Sequence, residues 1–168
     1  MKKRTIKRGI LPSMYGELTF RGTLELFKEF DVKKGDKFCD IGSGYGKLTT
    51  AYNHYFNEKA YGIEIDKERH DIANKIWKSH KTDKYEFINK DYRECFDILD
   101  ECKFIYCNGI CFPQPLIDPL FKYLSQRKTE CILIHNSRFA TSVGMVPLTV
   151  CWSDSKCMFY KLITTSKR

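Results

Sequence analysis

At 168 residues, with 42% hydrophobic and 14% aromatic content, the chain is long enough for one domain with a substantial core, and wholesale disorder is excluded. A formal charge of +8, from 29 Lys+Arg against 21 Asp+Glu, points to a polyanionic partner such as nucleic acid or a nucleosome, or to an anionic membrane surface, with plain basic solubility as the competing reading. No apolar run approaches the ~20 residues that span a bilayer as a helix, so no membrane association of that kind is expected.

Residues 1–13 read as a basic arm, crowded with Lys2, Lys3, Arg4, Lys7 and Arg8, and Lys167-Arg168 ends the chain. Residues 14–168 read as a single domain. From Phe20, the apolar residues Leu24, Phe27 and Phe30 recur at helical spacing. A lysine-rich turn with Gly35 leads into a strand from Lys37 to Ile41. A helix follows from about Gly46 to Phe56, then a strand from Ala60 to Ile65. Asp66 is placed to cap the next helix, on which Ile72, Ile76 and Trp77 share a face. Short strands are expected at 85–88, 104–107 and 131–134, with a helix between the last two carrying Ile117, Leu120, Phe121 and Leu124 on one side. Two β-rich runs, Met145 to Trp152 and Cys157 to Ile163, turned at Ser153-Asp154-Ser155, close the domain. Strands alternating with helices predict an α/β fold: a Rossmann-like, mostly parallel sheet with helices on both faces and an antiparallel C-terminal edge hairpin.

Of the eight cysteines, Cys39, Cys107, Cys131 and Cys151 sit inside apolar, strand-like runs, where cysteine behaves as a small hydrophobe. No signal-peptide pattern precedes them, so a reducing compartment is expected. Cys107 and Cys111 are four apart, Cys95 and Cys102 are seven apart, and no Cys-x-x-Cys occurs, so no zinc site is expected.

The most informative stretch is Phe38-Cys39-Asp40-Ile41-Gly42-Ser43-Gly44-Tyr45-Gly46, followed by Gly62-Ile63-Glu64-Ile65. Glycines allow a sharp turn and close approach of a ligand. An acid at the end of the second strand can accept hydrogen bonds from both hydroxyls of a ribose. The Gly-x-Gly-x-Gly spacing differs from the Gly-x-Gly-x-x-Gly of dinucleotide binders, which favours S-adenosylmethionine over NAD.

Five blocks carry a closer resemblance: Tyr15-Gly16-Glu17; Phe38 to Gly46; Tyr61-Gly62-Ile63-Glu64; Tyr106-Cys107-Asn108 with Phe112; and Val150-Cys151-Trp152 followed by Phe159-Tyr160. In order and content they resemble the catalytic core of the disruptor-of-telomeric-silencing (DOT-type) histone lysine methyltransferases, which have the class I methyltransferase fold and lack a SET domain. The resemblance implies that Tyr15 belongs to a loop closing over the methionine part of S-adenosylmethionine. It implies that Asp40, Gly42 and Gly44 form the first-strand turn, that Glu64 binds the ribose, and that Asp91 and Tyr92 contact the adenine. Lys47 stands where the family has a glutamine against the cofactor. Tyr15 as a packing residue and Asp91 as an ordinary turn acid are the competing readings.

At the reacting end, Tyr106, Asn108, Phe112, Trp152 and Tyr160 are the candidate walls of a lysine channel, with Asn108 also a cofactor contact. Phe159 competes with Tyr160 for the channel position, and a hairpin aromatic pair in the core competes for Trp152 and Tyr160 together. Burial among rings beside a sulfonium lowers a lysine's pKa, so such a channel needs no dedicated base. Asn108-Gly109-Ile110-Cys111 lacks the Asn/Asp-Pro-Pro-Tyr of enzymes that methylate exocyclic base amines or glutamine. Gly109 replaces the family's second asparagine, and His135-Asn136-Ser137-Arg138-Phe139 departs from its Ser-Ser-Lys-Pro-Phe segment. The resemblance predicts methylation of a histone H3 lysine in nucleosomes, in the nucleus or on other chromatin, a host nucleus if the source is viral. The arm would touch DNA, or else serve as a localisation-type signal. A small class I lysine methyltransferase acting on a non-histone protein, and a non-catalytic chromatin module, are the alternatives.

Overall fold

The computed structural model describes residues 16–78, 82–109, 112–127, 130–135 and 143–164. Seven strands form one sheet: β1 (Lys37–Ile41), β2 (Ala60–Ile63), β3 (Tyr85–Ile88), β4 (Cys102–Cys107), β5 (Cys131–His135), β6 (Gly144–Leu148) and β7 (Cys157–Thr164). Five helices accompany it: α1 (Phe20–Phe27), α2 (Lys47–Phe56), α3 (Lys67–Trp77), α4 (Phe96–Glu101) and α5 (Gln114–Ser125). The strand order is β3-β2-β1-β4-β5-β7-β6. β1 to β5 run parallel, and β7 pairs antiparallel with both β5 and β6. The expected fold is therefore present. β1 and β4 lie side by side where the order reverses, which opens a crevice at their carboxyl ends.

Pleating divides the core in two. Along β4, Phe104 and Tyr106 face α1 and α2, packing with Leu26, Phe30, Phe38, Tyr52 and Phe159. Ile105 and Cys107 face α4 and α5, packing with Leu99, Leu120, Leu124, Leu133 and Leu162. Because both sides are covered, the central strands read as continuous apolar runs rather than as alternating ones. On the α1–α2 side, aromatic rings dominate: Phe38 stacks on Tyr52 at 4.7 Å and Phe30 on Phe104 at 4.5 Å. Such pairs add about 0.5–1.5 kcal/mol beyond area burial.

Several sequence expectations change in detail. β2 ends at Ile63, which leaves Ile65 outside the sheet and 60% exposed. Asp66 does cap α3, its Oδ1 accepting from the Arg69 N–H at 3.0 Å. On that helix, however, Ile76 is 51% exposed, and Ala73 is the residue fully buried. Trp77 turns inward because its indole N–H donates to the Tyr45 carbonyl at 2.8 Å. The short helix α4 has no sequence signal of its own: six residues are too few to show a period, and no side chain caps it. It is held from outside, by Phe96 stacked on Tyr123 at 4.1 Å and by buried Leu99. β6 stops at Leu148 rather than running on to Trp152. Val150 instead makes an isolated antiparallel bridge to Leu18, and Cys151 is exposed in the turn that follows rather than buried in a strand.

Candidate active site

The crevice is built first by backbone. Gly42, Gly44 and Gly46 have φ of 79°, 54° and 80°, in the left-handed region where side chains are strained, so the turn from β1 to α2 requires these glycines. The Gly42 and Ser43 N–H groups donate to the Ile63 carbonyl at 2.8 and 3.1 Å, tying the turn to β2. Glu64, at the end of β2, is buried and fixed by two backbone donors. Its Oε2 accepts from the Gly44 N–H at 2.8 Å, and its Oε1 from the Asp66 N–H at 2.9 Å. A carboxylate oxygen has two lone pairs, so each oxygen retains one acceptor site for a vicinal diol. Exposed Ile65 beside it offers an apolar face of the kind a purine covers. The sequence signal for that role, an apolar residue just after the strand-end acid, reads equally well as the last residue of a strand.

The rest of the cleft is distinguished by polar groups left without partners. Asp40 is 4% exposed, and no described residue donates to its carboxylate. Burial, then the charges of Glu64 and Glu17, push its pKa well above the usual carboxylate range. The Tyr106 hydroxyl, the Asn108 Oδ1 and the Ser43 Oγ are also buried with no described partner. All four residues line one cleft, together with Gly16, Glu17, Gly42 and Lys47. Buried polar atoms without partners are uncommon in folded proteins, and three of them around one cleft, beside the buried Asp40, mark the position of a ligand. Asp40 and the Asn108 Oδ1 are acceptors, so the ligand must bring donors, among them a cation. S-adenosylmethionine, with an ammonium, a sulfonium and a ribose diol, fits that set.

The segment 16–19 forms the far wall. Asn108 holds it from below, its Nδ2 donating to the Gly16 carbonyl at 3.1 Å. The Cys151 N–H donates to the Glu17 carbonyl at 3.0 Å, and the Glu17 N–H donates to the Cys151 Sγ at 3.2 Å. Trp152 lies flat enough on Gly16 that a Cβ there would stand 2.6 Å from the indole, so glycine is required. Lys47, the first residue of α2, reaches across the cleft to form an ion pair with Glu17 Oε2. Glu17 is thus a site residue in its own right; its signal is its place in the Tyr15-Gly16-Glu17 block.

Not all the expected residues gather here. Tyr106 and Asn108 share the cleft wall, Trp152 packs on Gly16 of that wall, and Phe159 is stacked behind Tyr106 at 5.7 Å and fully buried. Phe112 borders the loop from the α5 side, its ring 3.2 Å from where a Cβ on Gly42 would stand. Tyr160 corrects an expectation. Directly opposed residues share a face, and Tyr160 stands opposite His135, whose ring meets Phe121 of α5 edge-on at 5.5 Å. Strand alternation therefore turns Tyr160 away from Tyr106 and turns Phe159 towards it. Asp91 and Tyr92 do not line this cleft. The Asp91 Oδ1 accepts from the Arg93 N–H at 3.0 Å and from its Nε at 2.9 Å, and this arginine holds the carboxyl below its usual pKa. Tyr92 is 5% exposed, its hydroxyl donating to the Leu116 carbonyl, so its ring belongs to the core. Arg93, two residues beyond the turn acid, is the sequence signal for this local ion pair. Tyr15, the arm, Cys111 and the Asn136 to Phe139 segment lie outside the described residues.

Solved structures with this fold include methyltransferases. An RNA methyltransferase from Salinibacter ruber, in complex with S-adenosyl-L-homocysteine, is 18% identical with a TM-score of 0.71, over 90% of this chain and 95% of that one. TrmK from M. capricolum, in complex with S-adenosyl-homocysteine, is 16% identical with a TM-score of 0.63, over 89% and 70%. A SAM-dependent methyltransferase from Thiobacillus denitrificans is 15% identical with a TM-score of 0.55; the match covers 70% of this chain and about half, 48%, of that one. No curated protein matches the chain. The family described as histone methylation protein DOT1 matches residues 8–147. The cleft at the carboxyl ends of β1 and β4, the class I methyltransferase sheet around it and that match over most of the sequence agree: the chain belongs to the DOT1 histone-methylation family and is a S-adenosylmethionine-dependent methyltransferase.

Proposed function

We propose that this methyltransferase acts on a lysine of histone H3 in nucleosomes; transfer to an amine in this cleft is supported above all by Asn108. Its Nδ2 is committed to the Gly16 carbonyl, while its Oδ1 is buried and unpartnered beside Tyr106. An amide oriented in this way accepts an N–H from an incoming amine and cannot itself be alkylated readily. S-adenosylmethionine, when bound, supplies a methyl group on a sulfonium sulfur for in-line displacement by that amine. Glu64 would hold the ribose, Asp40 the donor's ammonium, and Gly42 to Gly44 the backbone approach. Tyr106 and Trp152 exclude water, and a desolvated lysine near a cation loses its proton more readily than one in water. Alignment and desolvation then carry the reaction. The substrate assignment rests on the family, and with it come a chromatin-associated location and the arm as a DNA contact.

The test is incubation with methyl-labelled S-adenosylmethionine and, in parallel, nucleosomes, free histones and total RNA. Labelled histone H3, located by mass spectrometry on one lysine, is the expected outcome. RNA labelling, or no H3 labelling in either protein substrate, would sink the reading.

A further inference from the structure

The Glu17–Lys47 ion pair spans the cleft that should receive the cofactor, and its two ends differ. Glu17 is pinned by its backbone: its N–H and carbonyl both bond Cys151, and Leu18 beyond it bridges Val150. Lys47 is 65% exposed against 19% for Glu17, so the pair is the kind that solvent screens and that costs little to separate. Lys47 is also the first residue of α2, behind a glycine N-cap that contributes no side-chain hydrogen bond. Backbone N–H groups of such a first turn and a lysine together favour a carboxylate. Glu17 brings one carboxylate to that place, and an amino-acid ligand in the cleft would bring another.

Resting on the reading of this cleft as the S-adenosylmethionine site, we propose that Glu17 is an internal competitor of the cofactor's α-carboxylate for Lys47. Binding then proceeds by exchange: the ligand's carboxylate takes Lys47, and the Glu17 side chain swings away on its fixed backbone. Lys47 sets specificity for ligands that carry the amino-acid end, and Glu17 lowers the affinity for them. Where the family resemblance places a neutral glutamine, no such competition with a carboxylate arises.

Two probes separate the parts. S-adenosylhomocysteine carries the nucleoside and the amino acid; 5′-methylthioadenosine carries the nucleoside alone. Titration calorimetry on the wild-type chain should show binding of both. Glu17→Gln should tighten S-adenosylhomocysteine about two- to fivefold and leave methylthioadenosine unchanged. Lys47→Gln should weaken S-adenosylhomocysteine roughly tenfold, again without effect on methylthioadenosine. In the Lys47→Gln background the Glu17 substitution should have no further effect. If Glu17→Gln leaves S-adenosylhomocysteine unchanged or weakens it, or moves both probes equally, the exchange is wrong while the cleft assignment stands. Failure of the wild-type chain to bind either probe overturns both.

Discussion

Asp40 shows how one residue can cost stability and serve function. A carboxyl that no described group donates to, buried beside Glu64, is a liability in the empty protein. Its folded pKa is raised above the ordinary value near 3.8, so between those two pKa values the native state holds a proton that the unfolded state has released. Stability in that window therefore falls as pH rises. Replacing Asp40 with Asn should remove that slope and stabilise the unliganded protein by about 1–3 kcal/mol at neutral pH. The same change should cut S-adenosylhomocysteine affinity by tenfold or more, because the amide cannot neutralise an ammonium. Thermal melts across pH, with and without ligand, read both effects; a variant less stable than wild type at every pH refutes the account. Asn108 makes the opposite case. Its Nδ2 supports Gly16 and its Oδ1 faces the cleft, so Asn108→Ala should abolish methyl transfer and leave the melting temperature within a few degrees of wild type, as loss of one hydrogen bond allows. Residual activity near the wild-type level would remove Asn108 from the reacting end.

At the scale of elements, Glu25 fastens α1 to the hairpin that carries Trp152. Its Oε2 accepts from the Thr149 N–H at 2.8 Å and its Oε1 from Lys156 Nζ at 2.6 Å. The Lys156 ammonium, aided by Thr149, pushes the carboxyl down to about 2. A depressed pKa gives stability that is present above the ordinary value of 4.5 and lost as pH falls towards about 2. Glu25→Ala should thus cost about 1–3 kcal/mol in urea unfolding near neutral pH, with a gap from wild type that closes under acid conditions. A gap constant across pH would show that Glu25 acts by packing alone. The same hairpin marks the limit of what was legible beforehand. Strand order, the glycine turn and Glu64 follow from local pattern, since a buried parallel sheet and a left-handed turn each impose residue types along the chain. Tyr160 and Phe159 are adjacent aromatics in one strand, and only the register against His135 decides which faces Tyr106. Likewise Asp91 fits an adenine contact by position, and the linear pattern does not decide its ion pair with Arg93 two residues on. Side-chain competition of that kind is decided in three dimensions, and the linear pattern is silent on it.

Taken whole, the molecule keeps its charge at its ends. The first fifteen residues hold five basic and no acidic side chains and the last four hold two basic ones, which leaves only +1 for residues 16–164. Within the body, lysines near the amino ends of the strands are matched: Lys37 with Glu101, Lys59 with Glu86 and Lys103 with Asp36. A body so balanced has little net attraction for DNA, so on the nucleosome reading proposed above the terminal segments are the expected contact with phosphate. Each phosphate neutralised steepens the dependence of binding on salt by about 0.9 in the logarithmic slope. Removing residues 1–13, which carry all five N-terminal basic side chains, should therefore flatten that slope by up to about 4.5 and weaken nucleosome binding most at low salt. Affinity for S-adenosylhomocysteine should stay within a factor of about two, since the described cleft residues begin at Gly16 and the deletion leaves Tyr15 in place. Binding isotherms on nucleosomes at several salt concentrations decide the point. An unchanged slope would place the DNA contact on the folded body, against its charge balance, and would leave the arm without a role in nucleosome binding.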